Sequence, residues 1–356
     1  MLRPKFDWYL LLPVLFLLGF SVGMIASISP ASLLQHLLSI LLGLGIFLFF
    51  SFLDLEILLP LSPILYLLSL LFLTLPFLAG TVTRGAVRWI PVGGFTIQPS
   101  EIVKPFLALA AAWFWTKETF SLKRILTYLG LLLPVALLIL LQPDLGSTLV
   151  VLSIFAGVFL YSGIKGRQLL LLGLAITLVI PLAWFGLHDY QRLRLIHFFN
   201  PYVDPLGEGY NLIQAKIAVG SGGFFGRGWG RGTQSHLAFL PEKHTDFIFA
   251  SLSEELGLMG ATVVFFLYLM LFWRILKIVQ QSREHSSFLL GMGLFFALFF
   301  QTAVNLGMNL GLLPITGVTL PLVSYGGSSI LATMISLGIL EAISRRRSEE
   351  KVLEIK

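Results

Sequence analysis

The feature that most constrains this chain is a series of apolar runs that continue for about 18 residues or more with few charges. Such runs match the thickness of a lipid bilayer, whereas the helices of a soluble domain carry apolar residues on one face only. We therefore predict an all-α, polytopic membrane protein with about ten transmembrane helices. The predicted spans are 8–27, 32–53, 57–79, 101–116, 125–142, 146–163, 169–187, 247–275, 286–309 and 323–343.

Composition agrees with this class of protein. Of the 356 residues, 56% are hydrophobic and 12% are charged, about half the charged fraction of a soluble domain. The chain has no cysteine, which excludes disulfides, thiolate catalysis and metal sites with cysteine ligands. Neither a cleavable signal nor a soluble appended domain is recognisable, so residues 1–356 are predicted to form one integral membrane domain.

The distribution of basic residues predicts the orientation in the membrane. The net charge is +6, and many of the basic residues lie at the two ends of the chain and in short connections between spans. By the positive-inside rule, this places both termini in the cytoplasm, in agreement with an even number of spans. Asp54 and Glu56 make one connection on that side acidic, against the pattern. Because no zinc finger, helix-turn-helix or basic–aromatic repeat is present, no nucleic-acid partner is expected.

Two substantial loops are predicted on the outer side, over residues 81–100 and 188–245. Long outer loops tolerate positive charge, so the second loop does not contradict the orientation. Its many basic residues nevertheless need an explanation, and an anionic ligand is the natural one. They are Arg192, Arg194, Lys216, Arg227, Arg231 and Lys243.

Within the longer loop, glycines are concentrated at 220–223 and 226–232. Glycine permits a positive φ angle, and successive exposed amides can form an anion-binding nest. Arg227 and Arg231 would add charge suited to a pyrophosphate. The alternative is a flexible surface loop with glycines at its turns, which the glycines alone favour.

Three carboxylates follow this loop. Asp246 lies where the loop enters the eighth predicted span, a position at which an acid can also stabilise the start of a helix. Glu254 and Glu255 come about two turns later in apolar surroundings, where a carboxylate needs a cavity or a partner. Asp246 and Glu254 share roughly one helical face, so a polar cavity rimmed by Asp246 is one interpretation and a simple helix cap is the other.

Other polar residues interrupt the apolar runs. Glu101 and Lys104 have the i to i+3 spacing of a local ion pair, yet a lysine at membrane depth is also a candidate for function. Asp144 lies in what is predicted as a tight turn. The polar segment 305–329, which contains Ser324, is predicted as a re-entrant turn in preference to a direct ligand contact. The histidines have no metal-ligand spacing, and no metal-site motif is present.

Several of these segments together resemble the SEDS family of shape, elongation, division and sporulation proteins. The resemblance extends in order from Arg84 to Gly338, and within the family it is greater to the elongation branch than to the division branch. The matching motifs are Arg-Trp at 88–89, Gln-Pro-Ser-Glu at 98–101, Gln-Pro-Asp-Leu-Gly at 142–146, Gly-Ser-Gly-Gly at 220–223, Gly-Thr-Gln-Ser at 232–235, the segment 240–250, Glu-Glu-Leu-Gly at 254–257 and the segment 321–328.

The resemblance implies a peptidoglycan glycosyltransferase. Such a protein polymerises lipid II, a disaccharide pentapeptide on undecaprenyl pyrophosphate, at the outer face of the cytoplasmic membrane during cell elongation. It implies as partners a class B penicillin-binding protein and other membrane proteins of the elongation complex. A lipid II flippase and a non-catalytic scaffold of the elongation machinery are the alternatives.

The resemblance also assigns roles to residues. It implies that Asp246 is the catalytic carboxylate, matching a carboxylate that the family needs for polymerisation. A divalent cation, Mg²⁺ or Mn²⁺, is left open as an aid to the departing pyrophosphate. The residues expected to bind the substrate and its pyrophosphate are Arg88, Glu101, Lys104, Asp144, Arg227, Arg231, Lys243, Glu254 and Ser324.

Overall fold

The computed structural model describes residues 6–83, 86–93, 95–116, 121–164, 166, 168, 189–205, 207, 209–237 and 239–354. Its helices are α1 (Trp8–Ile28), α2 (Leu33–Ser51), α3 (Leu55–Leu58), α4 (Ser62–Ala79), α5 (Pro99–Ile102), α6 (Lys104–Trp115), α7 (Leu122–Leu141), α8 (Leu145–Tyr161), α9 (Asp189–Phe199), α10 (Tyr210–Ser221), α11 (Thr233–His236), α12 (Ile248–Gln280), α13 (His285–Asn309) and α14 (Gly327–Glu354). Short 3₁₀ turns occupy Pro30–Ser32 and Pro201–Val203.

The helical membrane fold predicted from the apolar runs is confirmed. Among the described residues, seven helices are long and apolar enough to cross a membrane: α1, α2 with its 3₁₀ turn, α4, α7, α12, α13 and the first part of α14. α8, with 17 residues, is a shorter apolar helix. The predicted span 101–116 is divided into α5 and the 12-residue α6. The predicted span 169–187 lies outside the described residues.

The loop 81–100, for which no regular structure was predicted, forms a small antiparallel sheet. Its strands are β1 (Thr81–Thr83), β2 (Ala86–Val92) and β3 (Phe95–Ile97), in the order β1-β2-β3. Thr81 pairs with Trp89 and Ile90 pairs with Ile97. Pro99 then occupies the first turn of α5, as its fixed φ angle favours. The hairpin therefore leads directly into the helix that carries Glu101 and, after one break, into α6.

One side of the helix bundle, which we call the terminal side, joins the start of α1 to the ends of α12 and α14. Asp7 forms an ion pair with Arg274 and accepts a hydrogen bond from Ser344 Oγ at 2.9 Å. Its backbone N–H donates to Glu341 Oε1 at 2.9 Å. These contacts tie distant spans together by charged and polar groups, which at membrane depth need partners within the protein.

The acidic connection between α2 and α4 also lies on the terminal side, where it has a basic partner. Arg346 NH2 lies 2.5 Å from Glu56 Oε1 and 2.7 Å from Glu284 Oε1. The departure of this connection from the charge pattern is therefore explained by a local ion pair with the end of α14.

Two neighbours in sequence, α2 and α4, pack against different helices. α2 packs against α14, whereas α4 packs against α6 and α7. Both helices expose many leucines, among them Leu34, Leu38 and Leu41 on α2 and Leu67 and Leu71 on α4. Exposed leucine is the normal surface of a span that faces acyl chains.

Candidate active site

A cavity of about 230 Å³ lies on the side of the bundle opposite the terminal side. It is formed where the start of α2, the β2–β3 hairpin, α5, the start of α14 and two irregular segments meet, the segments being 242–246 and 317–326. Irregular backbone at membrane depth is tolerated where it lines a cavity inside the protein. The polar and charged residues on the wall are Gln35, Ser39, Arg88, Thr96, Gln98, Glu101, Glu242, Thr245, Asp246, Thr319, Tyr325, Ser328 and Ser329.

Asp246 lies on this wall, held by its backbone. Its carbonyl oxygen accepts hydrogen bonds from Asn305 Nδ2 at 3.0 Å and from Asn309 Nδ2 at 2.9 Å. Asn309 Oδ1 in turn accepts from the N–H of Ala250 at 2.9 Å, which fixes the first turn of α12. A Cβ placed on Gly317, another wall residue, would lie 3.7 Å from Asp246 Oδ2.

The capping alternative for Asp246 is not supported by this geometry. The N-cap of α12 is Phe247, so Asp246 lies one residue before the capping position. Its carboxylate is held at the cavity wall by two buried asparagines of α13 acting on its backbone. The cavity predicted from the spacing of the carboxylates is present, with Asp246 on its wall.

Arg88 brings positive charge to the same cavity. It lies on β2, and its Nε atom is buried without a hydrogen-bond partner among the described residues. A buried guanidinium donor is costly unless something accepts from it, so its position suits an anionic ligand. Trp89 and Phe95, from the same hairpin, complete this part of the wall.

Glu101 and Lys104 form the predicted ion pair, buried behind the cavity. Lys104 Nζ lies 2.5 Å from Glu101 Oε1 and donates to Gln301 Oε1 at 3.1 Å. Gln301 Nε2 donates to Thr319 O at 3.2 Å, and Thr319 lines the cavity. Glu101 is itself a wall residue, but Lys104 is not among the residues that line the cavity. The pair thus links the hairpin side of the cavity to α13.

Asp144 acts on the cavity through Gln98. Its Oδ2 accepts from Gln98 Nε2 at 2.7 Å and from Ser100 Oγ at 3.1 Å, and its Oδ1 caps α8 by accepting from Ser147 N at 3.0 Å. Gln98 lines the cavity and Asp144 does not. The predicted turn at 142–146 therefore also serves to position α5.

Glu254 and Glu255 have buried partners and do not line this cavity. Glu254 accepts from Gln234 N at 2.8 Å and from Ser235 Oγ at 2.8 Å. Glu255 accepts from Ser27 Oγ at 2.7 Å and lies 2.8 Å from His236 Nε2. The two carboxylates attach α11 and the end of α1 to α12. For Glu254, the expectation of a residue in the same cavity as Asp246 is thus corrected.

The anion-binding nest was the interpretation that the glycines alone did not favour, and two amides of this loop have partners within the protein. Arg227 N donates to Glu254 O at 2.9 Å and Gly228 N donates to Glu255 O at 3.0 Å. These amides pair with the backbone of α12 at its break, where Gly257 has φ 67° and ψ −165°. A Cβ on Gly257 would lie 2.2 Å from Gly226 N, so the glycines serve this close packing.

The basic side chains of this loop lie outside the cavity. Arg227 and Arg231 are exposed, and Arg227 NH1 donates to Thr233 Oγ1 at 3.1 Å. Lys243 Nζ donates to Ser235 O at 2.5 Å. Burial lowers the pKa of the Lys243 ammonium, and the negative charge of Glu255 opposes this effect. The structure does not bring these three residues to the wall beside Asp246.

Ser324 joins the two irregular segments. Its Oγ donates to Thr245 O at 2.6 Å and accepts from Leu320 N at 2.8 Å, while Tyr325 N donates to His244 O at 2.8 Å. Ser324 therefore holds the turn, which is the structural interpretation favoured from the sequence, and the neighbouring Tyr325 lines the cavity.

Gln35 and Glu242 are among the wall residues that were not identified from the sequence. Gln35 lies near the start of α2, where its Oε1 accepts from Tyr325 OH at 2.6 Å. A glutamine in an apolar span was the available signal. Glu242 has φ 52°, and its backbone carbonyl accepts from Thr245 N and Phe247 N, both at 3.1 Å. A positive φ angle in a residue other than glycine leaves no signal in the sequence.

The fold and cavity define a class: a multi-pass helical membrane protein with a carboxylate and a guanidinium on the wall of one cavity. The family model that matches residues 6–349 covers FtsW, RodA and SpoVE and is described as "Cell cycle protein". The chain belongs to this family, also known as SEDS, and the resemblance noted in the sequence is confirmed.

Individual relatives support the family assignment. The chain is 44% identical over 292 residues to "Peptidoglycan glycosyltransferase MrdB" of Escherichia coli (strain K12), covering 80% of this chain and 78% of the relative. It is 37% identical over 327 residues to "Probable peptidoglycan glycosyltransferase FtsW" of Synechocystis sp., covering 91% of this chain and 82% of the relative.

Solved structures share the fold. A chain from "Structural coordination of polymerization and crosslinking by a peptidoglycan synthase complex" matches with a TM-score of 0.84 and 35% identity, covering 98% of this chain and 99% of that chain. The Rod shape determining protein RodA of Thermus thermophilus matches with a TM-score of 0.74 and 31% identity, covering 97% of this chain and 98% of that chain.

Proposed function

We propose that this protein is a peptidoglycan glycosyltransferase that polymerises lipid II at the outer face of the cytoplasmic membrane during cell elongation. The observation that carries this proposal is the cavity in which Asp246, Arg88 and Glu101 share one wall. The names of the relatives, which include peptidoglycan glycosyltransferases, support the reaction class.

In the proposed reaction, Asp246 is the general base. Its carboxylate removes the proton from the 4-hydroxyl of the acceptor sugar, and the oxygen attacks the anomeric carbon of the donor. The bond from that carbon to the pyrophosphate breaks, and the α-linked donor gives a β-1,4 bond with inversion. A direct displacement needs one base and no protein nucleophile, so no covalent glycosyl-enzyme forms.

Arg88 stabilises the departing pyrophosphate. Negative charge accumulates on the leaving group as the glycosidic bond breaks, and a fixed guanidinium in a cavity stabilises it more strongly than water does. The buried Nε atom of Arg88 provides a donor for this purpose. Lys104 keeps Glu101 and Gln301 in place, and through them it sets the shape of the wall beside Arg88.

The lipid tail of the substrate needs a path from the bilayer to the cavity. α2 contributes Gln35 and Ser39 to the wall and also carries exposed leucines. We assign the lipid tail to the side of the bundle between α2 and α4. A lipid-linked donor could then place its pyrophosphate at the cavity and leave its chain in the membrane.

The geometry favours the polymerase over the two alternatives. Every residue that lines the cavity comes from the side opposite the terminal side. On the terminal side, Asp7 is bonded both to Arg274 and to Ser344. A flippase must open a path across this polar closure, whereas a polymerase needs access from one side only. A scaffold needs neither a wall carboxylate nor the buried guanidinium donor of Arg88.

The orientation and the partners belong to the same proposal. Both termini lie in the cytoplasm and the cavity opens on the outer side, as the positive charge near the ends favours. A class B penicillin-binding protein crosslinks the product, and other membrane proteins of the elongation complex assemble with the pair. The likeness to a chain from a peptidoglycan synthase complex supports a partner of this kind.

A divalent cation, Mg²⁺ or Mn²⁺, stays a prediction. The described residues contain no group of three His, Cys, Asp or Glu side chains that could hold a metal ion, so the protein side chains alone do not form a metal site there. No step of the proposed mechanism is therefore assigned to a metal.

The test pairs polymerisation with transport. Purified parent and Asp246→Asn protein receive labelled lipid II with the class B partner, while flipping is measured separately in liposomes. We expect the variant to lose about 10²–10⁴-fold in polymerisation rate, the usual cost of removing a general base. Its melting temperature should stay close to that of the parent, because the amide keeps the size of the carboxylate and the backbone clamp by Asn305 and Asn309 is unchanged.

Two outcomes would overturn the proposal. A parental polymerisation rate in Asp246→Asn would show that the base is another group. A parent that flips lipid II but never polymerises it would assign the protein to the transporter class. Glu242→Gln, which alters another wall carboxylate, is the matched control for the loss of a negative charge.

A further inference from the structure

The loop 223–231 lies at the depth of a membrane interface. At 1.5 Å per residue, α12 rises about 30 Å from Gly257 to Lys277, the thickness of the hydrocarbon core. Trp273 and Lys277, within 5.9 Å of each other, mark the interface on the terminal side with the residue types typical of that depth. The break at Gly257 then falls at the opposite interface, and the loop is bonded to that break: Leu258 N donates to Gly223 O at 2.9 Å.

The end of α1 gives an independent measure of the same depth. Ser27, next to the last residue of α1, donates to Glu255 Oε1 at 2.7 Å. Gly23 lies one turn before it, and a Cβ placed there would lie 2.7 Å from the ring of Trp229. Trp229 therefore lies about one helical turn below the end of a membrane span.

At this depth the loop exposes aromatic and basic side chains together. Phe224 is 57% exposed, Phe225 is 77% exposed and Trp229 is 54% exposed. Arg227 and Arg231 alternate with them and are exposed as well, and no acidic side chain among the described residues forms an ion pair with either guanidinium. Aromatic rings prefer the boundary between acyl chains and headgroups, and arginine prefers phosphate.

An apolar groove of about 380 Å³ continues from this loop along α12. Its wall includes Gly220 and Gly223 at the loop and Leu258, Ala261 and Phe265 on α12, and Ser253 and Thr262 are the polar residues among those that line it. Arg227 Nε donates to Ser221 O at 3.3 Å, which places the guanidinium next to the loop end of the groove. A positive group thus stands above an apolar channel, the arrangement that a phospholipid complements.

We propose that the loop 223–231 and this groove bind an anionic phospholipid of the membrane leaflet that faces the loop, with the phosphate at Arg227 and Arg231 and an acyl chain in the groove. In the proposed orientation this is the outer leaflet. The groove and the cavity beside Asp246 have no lining residue in common, so the bound lipid is distinct from the substrate. The loop anchors α12, whose first turn follows Asp246, at a fixed depth in the membrane.

The test measures lipid selectivity. Full-length protein in detergent is titrated with equimolar phosphatidylglycerol and phosphatidylcholine, and the bound lipids are counted by native mass spectrometry. We expect the parent to retain phosphatidylglycerol in preference, and Arg227→Gln/Arg231→Gln to lose this preference by about fivefold for each arginine, the effect of one basic residue near an anionic surface. The charge-matched control Lys123→Gln/Arg192→Gln, at positions that do not line the groove, should keep it.

Other results would overturn the proposal. Equal binding of the two lipids by the parent, or unchanged preference in the double variant, would show that the arginines do not select a phospholipid. Displacement of phosphatidylglycerol by equimolar undecaprenyl pyrophosphate would assign the groove to the substrate. Loss of the class B partner from the double variant, with lipid preference unchanged, would make the surface a protein interface.

A second measurement does not depend on the folding of the double variant. Parent and Trp229→Phe are reconstituted in vesicles whose acyl chains are brominated near the headgroup or near the bilayer centre. The difference in tryptophan emission between the parent and Trp229→Phe reports Trp229. Bromine near the headgroup should quench this difference more strongly than bromine near the bilayer centre. Equal or absent quenching of this difference would show that Trp229 does not lie at the interface, against the proposal.

Discussion

Asp246 owes its position to two asparagines that are distant from it in sequence. Asn305 and Asn309 follow each other by one turn of α13, and both donate to the carbonyl oxygen of Asp246. A buried backbone carbonyl needs a donor, and supplying two from one rigid helix fixes the residue without using its side chain. The carboxylate is thereby held at the wall for chemistry.

The same logic distinguishes Lys104 from an ordinary surface lysine. Lys104→Met is costly because it leaves the buried Glu101 carboxylate without its partner. We expect the variant to insert into membranes, to melt at a lower temperature than the parent and to polymerise labelled lipid II at a reduced rate. Lys123→Met, at an exposed position, is the control and should match the parent.

A double variant separates structure from turnover at this pair. Glu101→Gln/Lys104→Met removes both charges, so the melting temperature should recover towards that of the parent. The polymerisation rate should stay low, since Glu101 lines the cavity. A folded Lys104→Met protein with the parental rate would show that the lysine only completes a local ion pair.

At the scale of elements, α12 combines two functions because Gly257 interrupts it. Before the break, its first turns carry Glu254 and Glu255, which bind α11 and the end of α1. After the break, it continues as a membrane span to Gln280. The positive φ angle at Gly257 opens the backbone, so that the loop amides can pair with the carbonyls of Glu254 and Glu255.

Gly257→Ala should detach the loop 223–231 from α12. A side chain at φ 67°, ψ −165° is strained by about 1–3 kcal/mol, and its Cβ would also collide with the backbone of Gly226 and Phe224. We expect a lower melting temperature and faster trypsin cleavage after Arg227 and Arg231. Gly45→Ala, in α2, has no neighbouring atom within 4 Å and is the matched control. Unchanged cleavage in Gly257→Ala would contradict the proposed attachment.

At the scale of the whole molecule, the orientation can be tested because the chain has no native cysteine. Tyr202→Cys and Gln281→Cys place single thiols at exposed positions on opposite sides of the bundle. In intact spheroplasts, an impermeant thiol reagent should label position 202 and leave position 281 unlabelled until the membrane is permeabilised. The reverse pattern would invert the proposed topology.

The partner is the other property of the whole molecule. We expect purified protein to polymerise labelled lipid II faster when the proposed partner, its cognate class B penicillin-binding protein, is added. A chain of similar fold belongs to a peptidoglycan synthase complex that coordinates polymerization and crosslinking. The control is an unrelated single-span membrane protein at the same concentration. Equal rates with and without the cognate partner, over a range of concentrations, would argue against dependence on this partner.

Part of this architecture was predictable because apolar length and local spacing are properties of the sequence itself. The spans over 8–27, 32–53 and 286–309 correspond closely to α1, α2 and α13. Pro99 at the start of α5 and the pairing of Glu101 with Lys104 were also correct, since both depend on neighbours within one turn. The hairpin at 81–97 was missed, although Gly-Gly at 93–94 lies between two runs rich in β-branched and aromatic residues, which is a hairpin signal.

The sequence by itself determined the class of protein: hydrocarbon accepts no unpaired backbone groups, so long apolar runs must become helices. It also indicated Asp246 and Arg88, whose motifs lie in separate polar interruptions of those runs. Only the tertiary structure decided which polar residues share the cavity. Glu254 is bonded to α11, and Arg227 and Arg231 lie outside the cavity. The reason is that a charge at membrane depth is stabilised by the partner that the packing of distant helices places beside it.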